Sequence, residues 1–331
     1  MVLSRRYSFF FFIAVFIIGI GLFYLNFEQR EKYPVTIAVS KTPLSSPFYI
    51  AKSLDAFDDT CVTVEYQEVI GGQAAFRQVI NGDADFGTSS DSVIAFQSLT
   101  QHSFVTHTVF SQSDNDVKLI TRATENINAI ADLKGKAVGV TKGTSGEYLL
   151  STLLAIEGLT MEDVKLHHYK PEQLIQSFSN NEVDAVIAWE PFVFIASQEL
   201  GSKIKIHDTK SLSTLSFNLI SQIADNHLVE KAKCVIEGLQ TAIDYIAAHP
   251  KKAKNIVINK LNLTAEAINW VWPDYIFKLG LNQSLILNLN SQAAWAVDTH
   301  MREYKQVPNS KHFVDSRALL QVDPGAVNMP R

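Results

Sequence analysis

The 331-residue sequence is poor in the residues that build metal clusters, disulfide frameworks and nucleic-acid sites. It contains only two cysteines, Cys61 and Cys234, too few for a cysteine-based metal cluster or a disulfide framework. We expect them to stay separate buried thiols, although they could pair in an oxidising compartment. The net charge is −5 and no basic run is longer than a pair such as Lys251–Lys252. This argues against nucleic acid as a partner.

Signatures of catalysis are missing as well. The sequence has no Gly-rich phosphate loop of the Walker type, no nucleophile elbow and no Cys–His pairing at a recognisable spacing. The close histidine pair His167–His168 falls on a predicted strand, where neighbouring side chains face opposite sides and cannot share a metal ion. We therefore expect no enzyme activity, no cofactor and no metal.

A long apolar run stands near the N-terminus. Residues 9–25 carry no charge and follow Arg5 and Arg6, and their length is near the lower limit for a membrane-spanning helix. Basic residues before the run favour a cytoplasmic N-terminus. Because no clear cleavage site follows, an uncleaved anchor is favoured over a removed signal peptide within residues 1–27. The rest of the chain is then expected in the periplasm or on the outer face of the cytoplasmic membrane.

From residue 33 onward, short apolar runs alternate with amphipathic stretches in the β-α-β-α-β order of a parallel sheet with helices on both faces. The order restarts after residue 122. We predict an α/β protein of two lobes, each a mainly parallel sheet flanked by helices, with a helical C-terminal tail. Lobe 1 comprises residues 33–122 and 213–331, and lobe 2 comprises 123–212. Short crossing segments near residues 122 and 213 should leave a hinged cleft between the lobes.

One helix–turn–strand unit occurs twice. Residues 81–85 of "GGQAAFRQVINGDADFGTSS", which begins at Gly71, align with residues 180–184 of "PEQLIQSFSNNEVDAVIAWEP", which begins at Pro171. Ligands of open parallel sheets bind beyond the carboxyl ends of the strands. Each copy should therefore deliver its last residues, 88–91 and 189–191, to one edge of the same cleft.

Five segments occur in an order and at spacings that together are specific: "FYIAKSLDAF", "GGQAAFRQVINGDADFG", "DLKGKAVGVTKGTSGEYLL", "NNEVDAVIAWEP" and "HFVDSRALLQVDP". Through them the chain resembles, from about Val35 to Pro324, the nitrate/sulfonate/taurine-type (NitT/TauT) solute-binding proteins of ABC importers. The resemblance implies the type-2 periplasmic-binding fold. It also implies a non-catalytic receptor that closes on a small solute and presents it to an ABC permease and its ATPase. We expect a monomer. The solute stays open, because the superfamily covers nitrate, bicarbonate, sulfonates, aromatic acids and pyrimidines.

In lobe 2, the stretch "TKGTSGE" joins a predicted strand to a helix. Gly143, Thr144 and Ser145 thus place backbone N–H groups and hydroxyls at a helix N-terminus, which suits an anionic group. Ordinary capping of the helix is the alternative. Lys142 either adds charge to the site or is a solvated lysine.

In lobe 1, Gly72 either lets a ligand approach the backbone or permits a tight turn. Ser89 and Ser90 stand where the corresponding loop of the resembled family lines the cleft. The loop after the first strand adds three more candidates: Ser45, Ser46 and Tyr49. For the tyrosine, a position in the core is the alternative.

Trp189 and Glu190 end the second copy of the repeated unit. Trp189 either stacks on a flat ligand or packs in the lobe core. Glu190 either points into the cleft or caps the helix that begins near Pro191. An inward carboxylate would repel a bare inorganic anion, so it predicts a ligand with a protonated amine or another donor. For Asp91 in lobe 1, the same question arises of whether the carboxylate points into the cleft. The expected solute is therefore sulfonate-like, taurine-like or another small nitrogen-containing compound.

The sequence leaves two other function classes open. An anchored sensor or adaptor would report its solute to a partner protein, and neighbouring genes for a kinase or cyclase, instead of a permease and an ATPase, would favour it. A pyrimidine-biosynthesis-like enzyme is the remoter alternative, since relatives of the resembled fold make pyrimidines for thiamin. The cysteine-rich segment typical of that branch is missing from this sequence.

Overall fold

The computed structural model describes residues 32–100, 102–124, 127–223, 225–299 and 306–329. Among these residues, no helix is long and apolar enough to cross a membrane. The predicted anchor at residues 9–25 lies outside the described residues.

The described residues contain twelve strands. In chain order they are β1 (Tyr33–Ser40), β2 (Val62–Val69), β3 (Phe86–Ser90), β4 (Phe104–Ser113), β5 (Val117–Arg122), β6 (Ala137–Val140), β7 (Lys165–His168), β8 (Ala185–Trp189), β9 (Ile204–Ile206), β10 (Leu215–Gln222), β11 (Tyr275–Asn282) and β12 (Val327–Asn328). They form two sheets, in the orders β12-β11-β4-β10-β3-β1-β2 and β7-β6-β8-β5-β9. We call the first sheet and its helices lobe 1, and the second sheet and its helices lobe 2.

Helices flank both sheets. In chain order they are α1 (Ser46–Ser53), α2 (Gly72–Asn81), α3 (Asp91–Gln97), α4 (Ser145–Ile156), α5 (Pro171–Ser179), α6 (Phe192–Leu200), α7 (Asn226–Ala248), α8 (Pro250–Leu261), α9 (Ala265–Val271), α10 (Gln283–Asp298) and α11 (Arg317–Val322). The predicted helical tail is present, but it also supplies β11 and β12 to the lobe 1 sheet.

The two sheets are mixed, so the prediction of mainly parallel sheets is corrected. In lobe 1, β3 runs parallel to β1, whereas β10 is antiparallel to both β3 and β4. In lobe 2, β6 is parallel to β7 and β8, whereas β5 is antiparallel to β8 and β9. The antiparallel strands β5 and β10 are those that enter each sheet directly from a crossing segment.

The first crossing segment lies earlier than predicted. Strand β5 pairs with β8 and β9, so residues 117–122 belong to lobe 2 and not to lobe 1. The chain crosses at residues 114–116, between β4 and β5, and returns at residues 207–214, between β9 and β10. The sequence did not reveal the first crossing because only three polar residues separate two strands of similar composition.

The repeated unit forms the same structure in both lobes. In lobe 1, the Asp85 carboxylate accepts from the backbone N–H of Thr36 at 2.9 Å, and the Asp85 N–H donates to the Thr36 carbonyl at 2.9 Å. In lobe 2, Asp184 exchanges the same two hydrogen bonds with Ala137, each at 2.8 Å. The repeated aspartate therefore joins the start of its own strand to the neighbouring parallel strand.

The preceding helix of each copy buries one apolar face. In α2 the buried residues include Phe76 and Val79, and in α5 they include Leu174 and Phe178. Helix α2 is followed by the C-cap residue Gly82 with φ = +81°, a left-handed conformation that glycine adopts readily. Each of the two helices thus contributes apolar side chains to the core of its own lobe.

Cys61 and Cys234 form a disulfide bond, which corrects the expectation of separate thiols. Cys61 precedes β2 and Cys234 lies in the middle of α7, at a sequence separation of 173 residues. Packing of α7 on lobe 1 brings the two Cα atoms to 5.6 Å, within the usual range for a disulfide. Their distance in the sequence carried no sign of this contact.

Removal of the disulfide should destabilise the protein. Because the bond closes a long loop, Cys61→Ser/Cys234→Ser should lower the free energy of unfolding by about 2–5 kcal/mol, as measured by urea denaturation. A reducing agent should lower the stability of the wild type toward that of the double variant and leave the variant unchanged. Equal effects of the reductant on both proteins would contradict the prediction.

Candidate functional site

A cavity of about 680 Å³ lies between the two lobes, a size typical of small-molecule sites. Lobe 1 contributes residues of β1, of the β2–α2 loop, of α2 and α3 and of β10. Lobe 2 contributes the β6–α4 loop, the β7–α5 loop and the end of β8. The cavity is therefore the predicted cleft, and both copies of the repeated unit reach it.

Two helices of different lobes begin at the cavity. Gly72, Gln73 and Ala74 of the first turn of α2 line one side, and Thr144 and Ser145 at the start of α4 line the other. The first N–H groups of a helix lack partners within the helix, and its N-terminus carries a partial positive charge. Two such ends facing one cavity favour an anionic group between them.

Gly72 is required by packing. A Cβ atom at this position would lie 2.9 Å from the backbone nitrogen of Ser90 and 3.2 Å from the Cα of Ser89. The start of α2 thus rests directly on the junction of β3 and α3. Ser90 caps α3 through its hydroxyl, which accepts from the Val93 N–H.

Positive side chains outnumber negative ones around the cavity. Arg77, Lys142 and Lys170 line it and are exposed, and none of them forms an ion pair with another described residue. The acidic residues in the lining are Asp116 and Glu172. The rim therefore adds a positive field to that of the helix N-termini.

Five of the predicted site residues line the cavity: Gly72, Ser90, Thr144, Ser145 and Trp189. The other six do not: Ser45, Ser46, Tyr49, Ser89, Gly143 and Glu190. The difference follows from what each of the six contacts.

Three of the six, at or just before the start of α1, face the core of lobe 1. Ser45, Ser46 and Tyr49 are each at most 1% exposed. The Ser46 hydroxyl donates to the Pro43 carbonyl, and the Tyr49 hydroxyl donates to the Ser40 carbonyl at 3.5 Å. For Tyr49, the core position considered as the alternative is the one observed.

Ser89 and Gly143 support the cavity from behind. The Ser89 hydroxyl donates to the Gly72 carbonyl at 3.3 Å. The Gly143 N–H donates to the Glu147 carboxylate at 2.7 Å, and the other oxygen of that carboxylate lies 2.9 Å from Nε2 of His168. Glu147 thus joins the β6–α4 loop to the end of β7, and His168 lines the cavity beside it.

Glu190 is 1% exposed and lies behind the cavity wall. Its Oε1 lies 2.9 Å from Nζ of Lys118 and accepts from Trp270 Nε1 at 2.7 Å. Its Oε2 accepts from the Phe194 N–H at 3.0 Å in the first turn of α6. The hypothesis that an inward Glu190 requires a ligand amine loses its basis, because Lys118 neutralises this carboxylate. The capping alternative agrees with the bond to Phe194.

Several lining residues were not singled out from the sequence. Lys170 and Tyr169 precede α5 and line the cavity. Aligning the two copies of the repeat places Lys170 opposite Gly71, so the repeat contained a signal for the β7–α5 loop. Thr141 also lines the cavity, and its buried hydroxyl has no partner among the described residues. No local pattern marked Asp116, which lies in the first crossing segment.

Two buried carboxyl groups lie on the hinge side of the cavity. Asp116 is 2% exposed and lines both the main cavity and a small neighbouring one of about 20 Å³. Asp91 is fully buried and lines the small cavity alone. Burial raises the pKa of each carboxyl group to about 7, against hydrogen bonds that lower it.

One protein-family model matches the part of the chain that contains most of the cavity residues. The family model described as NMT1/THI5 like matches residues 42–253. A putative binding protein of Brucella abortus is 29% identical over 156 residues, which cover 44% of this chain and 49% of that protein. This match spans about half the length of the relative. A putative aliphatic sulfonates-binding protein of Bacillus subtilis is 28% identical over 271 residues, covering 76% of this chain and 80% of that protein.

Among solved structures, the alkanesulfonate-binding protein SsuA from Xanthomonas axonopodis pv. citri, bound to MOPS, superposes with a TM-score of 0.74. The sequence identity is 18%, and the match covers 86% of this chain and 99% of that chain. At this identity the likeness concerns the fold. It confirms the predicted two-lobed α/β architecture.

The pair Lys118–Glu190 should be important for stability. Lys118→Met leaves Glu190 as a buried charge without a cation, which should lower the free energy of unfolding by about 3–5 kcal/mol. Lys118→Met/Glu190→Gln should cost less than the single variant, since the neutral amide needs no counter-charge and still accepts from Trp270. Urea denaturation of both variants tests this, and equal or greater loss in the double variant would contradict it.

Asp91→Asn should alter the pH dependence of stability. Because burial raises the folded-state pKa of Asp91 from 3.8 to about 7, the folded protein binds this proton more tightly than the unfolded chain. Its stabilising contribution is present near pH 4 and is lost as the pH rises through about 7. Between about pH 5 and pH 7, wild type should lose stability relative to Asp91→Asn by up to about 1.4 kcal/mol per pH unit.

The difference in the free energy of unfolding between wild type and Asp91→Asn reports the titration of Asp91. His107, whose pKa is lowered by burial to about 4, titrates in both and cancels. Urea denaturation across the pH range gives the measurement, and a constant difference between wild type and variant would show that Asp91 is not the titrating group.

Proposed function

The chain belongs to the NMT1/THI5-like family, and we propose that it is an extracytoplasmic solute-binding protein that captures a small organic anion in the interlobe cavity. It delivers this solute to an ABC permease and its ATPase. The protein has no catalytic role in this proposal and works as a monomer.

The observation that carries the proposal is the meeting of two helix N-termini from different lobes at one cavity. The starts of α2 and α4 approach across the cleft, where the Gln73 side chain donates to the Lys142 carbonyl at 3.5 Å. An anion held between them would contact both lobes at once. Its binding would therefore favour the closed arrangement of the two lobes.

The chemistry of the lining supports an organic anion over a bare inorganic one. Trp189, Phe217, Leu215 and Val93 offer apolar surface beside the polar helix ends. A volume of about 680 Å³ accommodates a carbon skeleton in addition to the anionic group. Relatives named as putative aliphatic sulfonates-binding proteins make a sulfonate the first class to test.

The proposed location is outside the cytoplasmic membrane, with residues 9–25 as an anchor. The disulfide between Cys61 and Cys234 supports this, because disulfides persist mainly in oxidising compartments.

The rim cations provide a test with a matched control. Wild type should bind butanesulfonate in isothermal titration calorimetry, and Arg77→Met/Lys142→Met should weaken binding about tenfold through the loss of two exposed charges. Lys165→Met removes an exposed lysine of lobe 2 that does not line the cavity, and it should leave the affinity unchanged.

Two outcomes would contradict the proposal. The first is equal affinity in wild type and the Arg77/Lys142 variant, and the second is the absence of binding to butanesulfonate, nitrate and simple carboxylates by folded protein. Binding of a carboxylate without the sulfonate would retain the solute-binding role and replace the solute class.

A further inference from the structure

Asp116 is a buried carboxyl group that faces the proposed ligand. It lies in the first crossing segment and lines the main cavity on its hinge side, at 2% exposure. Its Oδ1 accepts from the Tyr275 hydroxyl at 2.5 Å. This is a neutral donor, so it does not balance a negative charge.

The surrounding charges leave Asp116 without a cation of its own. The neighbouring ammonium of Lys118 pairs with Glu190 at 2.9 Å and also donates to the Asn115 carbonyl. Among the described residues, Asp116 forms no ion pair. Two buried carboxyl groups thus lie near a single ammonium group. A buried charge is unfavourable unless a group of opposite charge pairs with it.

The cavity is consequently polarised. Helix N-termini and exposed cations surround it at α2, α4 and the rim, whereas Asp116 stands at the hinge side. The pKa of Asp116 is raised to about 7, mainly by burial and also by the charge of Glu190, whereas the hydrogen bond from Tyr275 and the charge of Lys118 act to lower it. The direction of this shift agrees with a carboxyl group that has no cation of its own.

We propose that Asp116 is a specificity-determining residue that binds a protonated amine, so that the solute is a zwitterion with its anionic group at the helix N-termini and its ammonium group at the hinge side. This rests on the proposed function, because it assigns the second end of the same ligand. It also moves the expected amine contact from Glu190, which is neutralised, to a residue that faces the cavity.

A pair of isosteric sulfonates tests the amine contact. 3-Aminopropanesulfonate and butanesulfonate differ only in an ammonium group replacing a methyl group. A charge-assisted hydrogen bond to Asp116 should make the wild-type protein bind 3-aminopropanesulfonate about 10- to 100-fold more tightly. Isothermal titration calorimetry of the full-length protein with both compounds, and with butylammonium as the cation alone, gives the three dissociation constants.

Asp116→Asn and Asp91→Asn form a matched pair of variants. Both remove a buried carboxyl group of similarly raised pKa, but only Asp116 lines the main cavity. Asp116→Asn should abolish the preference for the amine and leave the affinity for butanesulfonate unchanged or improved. Asp91→Asn should keep the wild-type preference, which separates ligand contact from a general effect of removing buried charge.

The outcomes separate this inference from the proposed function. Equal binding of the two sulfonates by wild type, or an amine preference that survives Asp116→Asn, overturns the role of Asp116 and leaves anion binding intact. If butylammonium binds in a way that depends on Asp116 and neither sulfonate binds, the proposed anion binding is wrong and the contact between Asp116 and an amine is retained. If folded wild type binds neither 3-aminopropanesulfonate nor butylammonium, the inference is wrong.

Discussion

The buried contact of Glu190 with Lys118 and Trp270 joins the parts of the structure on which the cavity depends. Glu190 follows β8 of lobe 2, Lys118 lies in β5 just beyond the first crossing, and Trp270 belongs to α9 of lobe 1. The contact thus links both lobes beside the hinge. The preceding residue, Trp189, lines the cavity. A carboxylate buried to this degree is stable only with its charge matched and its oxygens hydrogen-bonded, so the arrangement has little freedom to change.

With that ammonium engaged by Glu190, Asp116 is left at the base of the cleft as a carboxyl group without a cation of its own. The opposite surfaces carry helix N-termini and three exposed cations, so the site has a positive region and a negative one. Such an arrangement discriminates by the separation of charges within a ligand as well as by its net charge. A receptor that must select one solute from many anions would gain specificity from a second, oppositely charged contact.

The disulfide and the repeated unit stabilise the frame around this site in different ways. The bond between Cys61 and Cys234 restrains a loop that contains all of lobe 2. The aspartates at 85 and 184 act locally, each aligning two parallel strands whose carboxyl ends deliver residues to the cavity. The disulfide lowers the conformational entropy of the unfolded chain, whereas the local hydrogen bonds set the positions of the strand ends.

The sequence by itself determined the elements and their order, because hydrophobic period, turn residues and helix caps act over a few residues. It therefore predicted the two lobes, the repeated unit and the helix that starts at Thr144 and Ser145. Tertiary structure decided which side chains meet. The lobe assignment of β5, the pairing of Cys61 with Cys234, the neutralisation of Glu190 and the exposure of Asp116 to the cavity each depend on residues far apart in the chain. Such contacts form only when the two sheets pack around the crossing segments. Local sequence patterns do not predict which residues, far apart in the chain, will then be in contact.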